Sequence, residues 1–141
     1  MDDKILVAGI AACAALLGSL IPQVFSFFKE RAERSFARQK EQRDIQVLVY
    51  EELLLALQDT MNNGNSSFPA FQKAILKVSL HGDANTSKVS LEYFDTLVKR
   101  GHELKAEEHA NYQTNILNAM KAQLSLPEVE RFEIIRFGAQ K

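Results

Sequence analysis

Residues 5–28 read ILVAGIAACAALLGSLIPQVFSFF and contain no charged side chain. Lys4 and Lys29 bound this run on either side. An α-helix rises about 1.5 Å per residue, so the run would extend roughly 36 Å as a helix, whereas the hydrocarbon core of a bilayer is about 30 Å thick. Helices of soluble proteins seldom stay apolar for this long without a polar face. The stretch therefore predicts a membrane-spanning helix, within an N-terminal segment of residues 1–28.

Two other N-terminal segments share some of these features. A cleaved signal peptide needs a basic beginning, but the first four residues, MDDK, carry two acids and one base. Residues 10–13, IAAC, resemble a bacterial lipobox, but cleavage before Cys13 would leave an apolar tail that a lipid anchor does not need. A retained membrane span accounts better for the whole run.

Basic residues are concentrated after the apolar run. Only Lys4 precedes it, whereas the juxtamembrane segment 29–44 contains Lys29, Arg31, Arg34, Arg38, Lys40 and Arg43. Basic residues near a span stay on the cytoplasmic side and attract anionic headgroups. We therefore expect a single-pass protein of the inner (plasma) membrane, with the N-terminus outside and the C-terminal domain in the cytosol. The net charge of −1 predicts no nucleic-acid partner.

Small residues recur every four positions in the span, at Ala11, Ala15 and Ser19. In lipid this spacing lets two helix backbones approach closely. The row predicts self-association, with the lipid bilayer and a second copy as partners. Alanine is also simply common in membrane helices, which leaves open a span that is surrounded by lipid alone.

From 29 to 61 the chain has no proline or glycine and is rich in strong helix formers. The membrane helix is therefore expected to continue without a break to residue 61. Apolar residues follow a 3-4-3-4 spacing in its last part and define a predicted helix seam at Val47, Tyr50, Leu54, Leu57 and Met61. Additional leucines widen this stripe, which favours the face of a packed bundle over a two-stranded coiled coil.

The remaining pattern predicts an all-α cytosolic domain over 45–141. Turn residues at 62–67 end the first helix, and a second helix is expected over 68–80. Thr86 or Ser87 is expected to cap a third helix, and a break is expected at Gly101. The apolar positions of that helix include Leu91, Phe94, Leu97, Val98 and Leu104. A fourth helix is predicted over 106–124, and the residues expected to be buried are Leu54, Leu57, Phe71, Leu97, Ile116 and Met120.

The last element, 129–137, is harder to assign from the pattern. Ser125 and Glu128 have the spacing of a capping box, which favours a helix. Its apolar residues would also suit a strand.

No motif for catalysis or cofactor binding stands out. His102 and His109 lie seven residues apart, whereas zinc sites on one helix use closer spacing. The chain has no P-loop, no dinucleotide-binding glycine pattern and no G-x-S-x-G. We therefore expect no metal, no cofactor and no enzymatic activity.

Three segments resemble a loose group of small, uncharacterised bacterial proteins with one N-terminal span and a short cytosolic helical domain. These segments are the span with KER at 29–31 and YEELL at 50–54, then AILKVSLHG at 74–82 with Val89, and then LNAMKAQL at 117–124. The resemblance implies the single-pass topology and no particular activity.

Together these features predict a membrane-tethered cytosolic helical interaction module that self-associates and binds a protein partner of unknown identity. The alternative is a small membrane-acting effector, such as a toxin or a phage-defence component, whose oligomerised spans perturb the bilayer. A pore would need a polar face, and the span offers only Ser19, Gln23 and Ser26. The interaction module is therefore the favoured interpretation.

Overall fold

The computed structural model describes residues 2–134, and every regular element among them is helical. The α-helices are α1 (Asp2–Asn63), α2 (Phe68–His81), α3 (Ala84–Arg100) and α4 (Ala106–Gln123), with a 3₁₀ turn at Gly64–Ser67. The chain divides into two compact units, Met1–Glu41 and Gln42–Lys141. The predicted all-α fold is confirmed for the described residues.

Helix α1 is continuous through the expected range and passes over Pro22. The helix ends at the sequence Asn62-Asn63-Gly64. Gly64 adopts a φ of +64°, which residues other than glycine rarely tolerate. The 3₁₀ turn then leads into α2, which has a proline in its first turn, where a missing backbone N–H costs nothing.

The core of the second unit is built from all four helices. From α1 it takes the row Val49, Leu53, Leu57 and Met61, together with Tyr50. Of the six residues predicted to be buried, five are confirmed: Leu57, Phe71, Leu97, Ile116 and Met120. Leu54 is only partly buried against the edge of the core.

The buried stripe of α1 is displaced from the predicted seam. Leu53 is completely buried, whereas Val47 is 37% exposed. Residues four apart lie on one helix face, so the row at 49, 53, 57 and 61 forms the centre of the contact. The predicted seam shares Leu57 and Met61 with this row and departs from it at Val47 and Leu54, which are exposed and partly buried, respectively.

Helix α3 differs from its prediction in both its start and its buried face. It begins at Ala84, because the Asp83 carboxylate accepts a hydrogen bond from the Thr86 N–H at 2.9 Å. Leu91 and Val98 are exposed, and the buried face begins instead with three small polar residues, Thr86, Ser87 and Ser90. The Ser87 hydroxyl lies 2.5 Å from that of Ser79 on α2, so the small side chains let α2 and α3 approach closely.

The segment after α4 is neither the predicted helix nor a strand over 129–134. Ser125 does not begin a helix; with a φ of 57° it ends α4. The Leu126 N–H donates a hydrogen bond to the Lys121 carbonyl at 2.8 Å, and the Ser125 N–H donates to the Ala122 carbonyl at 3.1 Å. This pair of hydrogen bonds is a Schellman motif. The predicted positions 135–137 lie outside the described residues.

Polar side chains of α4 bind the backbone of this C-terminal segment. The Asn118 amide both donates to the Val129 carbonyl and accepts from the Val129 N–H, each at 2.9 Å. Thr114 Oγ1 accepts from the Phe132 N–H at 2.9 Å, and Gln113 Oε1 accepts from the Ile134 N–H at 2.7 Å. These bonds satisfy the backbone without regular secondary structure.

Candidate membrane and interaction surfaces

The described side chains of the apolar run 5–28 are not packed into a core. Every side chain described in this run is exposed, including Phe25, which is 74% exposed, and Phe28. Among the described residues, one helix is long and apolar enough to cross a membrane, and its most apolar stretch is not buried at all. Exposure of such an apolar surface to water would be strongly unfavourable.

The predicted oligomer row, Ala11, Ala15 and Ser19, is also exposed on α1. The Ser19 hydroxyl donates to the Leu16 carbonyl at 3.0 Å, so it is satisfied within its own helix. Helical spacing of four puts the three small side chains on one face. Packing against a second helix stays a prediction.

The basic residues after the run are solvent-exposed, and two pair along the helix. Lys29 lies 3.9 Å from Glu33, and Arg34 lies 3.4 Å from Glu30. Exposed pairs of this kind contribute little stability. Arg31, Arg38 and Lys40 are exposed and form no ion pair among the described residues. Arg43 differs from the rest, because its guanidinium donates to the Leu124 carbonyl at 3.1 Å.

Much of the predicted helix seam is enclosed by the chain's own core. Tyr50, Leu57 and Met61 are buried, and Met61 Sδ lies 3.6 Å from the Tyr93 hydroxyl. These three side chains cannot also form a face for a second copy unless the domain opens.

Tyr50 connects α1 to the cap of α3. Its hydroxyl donates to Asp83 Oδ2 at 2.5 Å. Burial, together with the hydrogen bond to the Asp83 carboxylate and its charge, raises the pKa of Tyr50 well above its usual range. Burial alone would raise the pKa of Asp83, but hydrogen bonds from Thr86, Tyr50 and Asn85 outweigh it and lower that pKa. Tyr50 therefore stays a donor and Asp83 an anion near neutral pH.

A second polar contact lies inside the domain. The Tyr93 hydroxyl is 2.7 Å from His109 Nδ1, and the Tyr93 ring stacks on Tyr112 with centroids 5.0 Å apart. A cavity of about 490 Å³ beside this contact is lined by both apolar and polar side chains: Met61, Gly101, His102, Leu104, Ala106, His109, Gln113, Glu133 and Ile134.

His102 and His109, which lie seven residues apart, have different surroundings. His102 follows the end of α3 and has an 82% exposed side chain, whereas His109 is buried in α4. Among the described residues, no group of three or more histidine, cysteine, aspartate or glutamate side chains could hold a metal ion.

Four exposed leucines form a surface that the sequence did not reveal. Glu52 of α1 and Lys77 of α2 form an ion pair at 2.5 Å, which brings the two helix faces together. Positions three or four apart on a helix are neighbours. Leu48 and Leu55 have this spacing from Glu52, Leu80 has it from Lys77, and Leu76 shares the helix face of Leu80 four positions before it. We call this surface the leucine patch: Leu48 (56% exposed), Leu55 (64%), Leu76 (59%) and Leu80 (77%).

Comparison with known proteins identifies no relative: no protein-family model matches the chain, and no curated protein and no solved structure does either.

Proposed function

We propose that this protein is a membrane-tethered helical interaction module, a binding rather than a catalytic protein. The N-terminal part of α1 spans the inner membrane, and the unit Gln42–Lys141 is presented to the cytosol. The observation that carries this proposal is the exposure of every described side chain in the apolar run 5–28, whereas the unit Gln42–Lys141 buries apolar residues in a core of its own.

The charge distribution supports the orientation. Lys29 and the five basic residues that follow it, up to Arg43, lie on the C-terminal side of the run, and only Lys4 lies before it. Basic flanks are retained on the cytoplasmic side. Arg31, Arg38 and Lys40 support contact with anionic headgroups, because each is exposed.

Extraction and reporter fusions test the span and its orientation separately. We expect the full chain to stay in the membrane pellet after alkaline carbonate treatment. We expect a fluorescent protein fused after Lys141 to fluoresce and a periplasmic alkaline phosphatase at the same position to be inactive. Release by carbonate would refute the span. Phosphatase activity would refute the orientation alone.

A matched pair of variants shows whether the apolar run is the anchor. An arginine at the centre of a span costs about 2.5–3.5 kcal/mol, so Leu16→Arg should lower the retention of the protein in the membrane. Phe36→Arg introduces the same charge at another exposed apolar position, outside the run, and should leave the protein in the pellet. Equal retention of both variants would contradict anchoring by residues 5–28.

A further inference from the structure

We propose that the leucine patch is the surface through which two copies of this chain associate. The inference rests on the proposed membrane-tethered module and adds to it the surface of self-association. This surface is independent of the small-residue row at Ala11, Ala15 and Ser19.

The charges around the patch are divided between its two helices. From residue 45 to its end, α1 contains only acidic charges, at Glu51, Glu52 and Asp59. Helix α2 contains no acid and carries Lys73 and Lys77. The patch therefore has an acidic side from α1 and a basic side from α2, with leucines on both.

This division makes the patch complementary to itself. A twofold axis through its centre would place α1 of one copy against α2 of the other, so Glu52 would face the partner's Lys77 and the leucines would meet. A peptide of one charge sign would meet repulsion from half of the patch. Lys73 strengthens the argument, because it forms no ion pair among the described residues and an acidic side of a second copy would supply one.

The size of the patch indicates a contact that needs help from the anchor. Four leucines with these exposures present on the order of 400 Å² of apolar surface, whereas a stable interface buries about 800 Å² on each partner. Tethering both copies to one membrane raises their local concentration without adding a contact. We therefore expect association in membranes and little of it in dilute detergent.

The ion pair between Glu52 and Lys77 allows a test that distinguishes a contact between two chains from the contact within a single chain. Two differently tagged full-length copies are co-expressed and crosslinked in native membranes, one tag is captured, and the other is quantified. Glu52→Lys alone, or Lys77→Glu alone, places like charges at the interface and should lower recovery at least about fivefold. Co-expressing the Glu52→Lys chain with the Lys77→Glu chain should restore recovery, although each chain still has like charges within itself.

Variants of the exposed leucines give a second test of the patch, in addition to the charge variants. Leu55→Asp and Leu80→Asp should lower recovery, and the matched control Leu91→Asp, at an exposed leucine of α3, should not. Thermal unfolding of each variant establishes that the domain is intact. Failure of the mixed charge variants to restore recovery would overturn the proposal. So would recovery that survives Leu80→Asp and is lost in Ala15→Ile, because association would then run through the span.

Carbonate extraction of the same samples separates this inference from the proposed function. Chains that stay in the pellet but do not pair would refute the patch and leave the anchor standing. Chains that are released but still pair in a charge-dependent way would refute the anchor and leave the patch standing.

Discussion

Leucines of the two units have opposite surroundings. Leu16 and Leu20 in the first unit are 62% and 52% exposed, whereas Leu53 and Leu57 in the second are completely buried. All four belong to the same helix, α1. Helix formation alone therefore does not decide where an apolar side chain goes. In the second unit other helices of the chain cover α1, and in the first unit no described part of the chain covers these side chains.

The polar contacts of the two units differ in the same way. The first unit has local pairs four residues apart, Lys29–Glu33 and Arg34–Glu30. The second has contacts between distant parts of the chain, Tyr50–Asp83 and Tyr93–His109. Local pairs support a helix wherever it lies, whereas distant pairs fix one arrangement of several helices. We therefore expect substitutions to change domain stability only in the second unit.

The largest effect should come from truncating the buried row of α1. Leu53→Ala leaves a cavity in a fully packed site and should lower the free energy of unfolding by about 2–5 kcal/mol. Urea unfolding of the full chain in detergent, followed by near-ultraviolet circular dichroism of its tyrosines, measures this. Leu55→Ala, two residues along and 64% exposed, should cost less than about 1 kcal/mol.

Leu16→Ala, in the first unit, completes this comparison. It should leave the urea midpoint of the domain unchanged, because Leu16 is not part of the core that unfolds. A loss in Leu16→Ala as large as that in Leu53→Ala would show that the two units do not differ in the way described.

An intermediate effect is expected at the contact between Tyr50 and Asp83. Tyr50→Phe removes a hydrogen bond to a charged acceptor and should cost about 1.5–3 kcal/mol near neutral pH. The pKa of Asp83 is lowered in the folded state, so its contribution is present above its unfolded pKa of about 3.9 and is lost as pH falls through the folded pKa.

The pH dependence gives this variant a specific signature. Without the Tyr50 hydroxyl, the folded pKa of Asp83 should rise toward its unfolded value, so less stability remains to be lost below about pH 4. Urea midpoints measured across this range should therefore converge for wild type and Tyr50→Phe as the solution becomes more acidic. A constant difference down to the lowest pH would assign the cost to packing and contradict the hydrogen-bond account.

Sequence patterns predicted the helical fold well because its signals are local. Helix propensity and the periodicity of apolar residues predicted three features: the continuous α1, the end of α3 at Gly101 and five of the six core positions. The buried face of α3 escaped prediction, because Thr86 and Ser90 are polar by type. Their burial depends on close contact with another helix, and no spacing within one helix reveals that.

The leucine patch escaped prediction for a related reason. Leu48 and Leu55 contributed to a wide apolar stripe in the sequence, and nothing local shows which part of such a stripe stays uncovered. The ion pair between Glu52 and Lys77 joins residues 25 positions apart, so the patch exists only once α2 has packed on α1. The C-terminal segment is similar, because its backbone partners lie on α4.

A small effect, in the direction of a gain in stability, is expected at the end of α4. Ser125 holds a left-handed conformation, which costs residues other than glycine about 1 kcal/mol or somewhat more. Ser125→Gly removes that cost but makes the unfolded chain more flexible, so we expect a net gain of roughly 0.5–1 kcal/mol in the same urea assay. Ser125→Ala should show no such gain, since alanine keeps the unfavourable φ.

Gly18, within α1, and Gly64, just after its end, test the same effect of backbone conformation through the opposite substitution, from glycine to alanine. One lies in each unit. Gly64 has a φ of +64°, and a Cβ added there would meet no atom of the described residues within 4 Å, so Gly64→Ala should lose stability through backbone strain alone. Gly18 has equally open surroundings without a positive φ, so in the first unit Gly18→Ala should leave the urea midpoint of the domain unchanged. Equal shifts at positions 18 and 64 would mean that backbone conformation is not what distinguishes these sites.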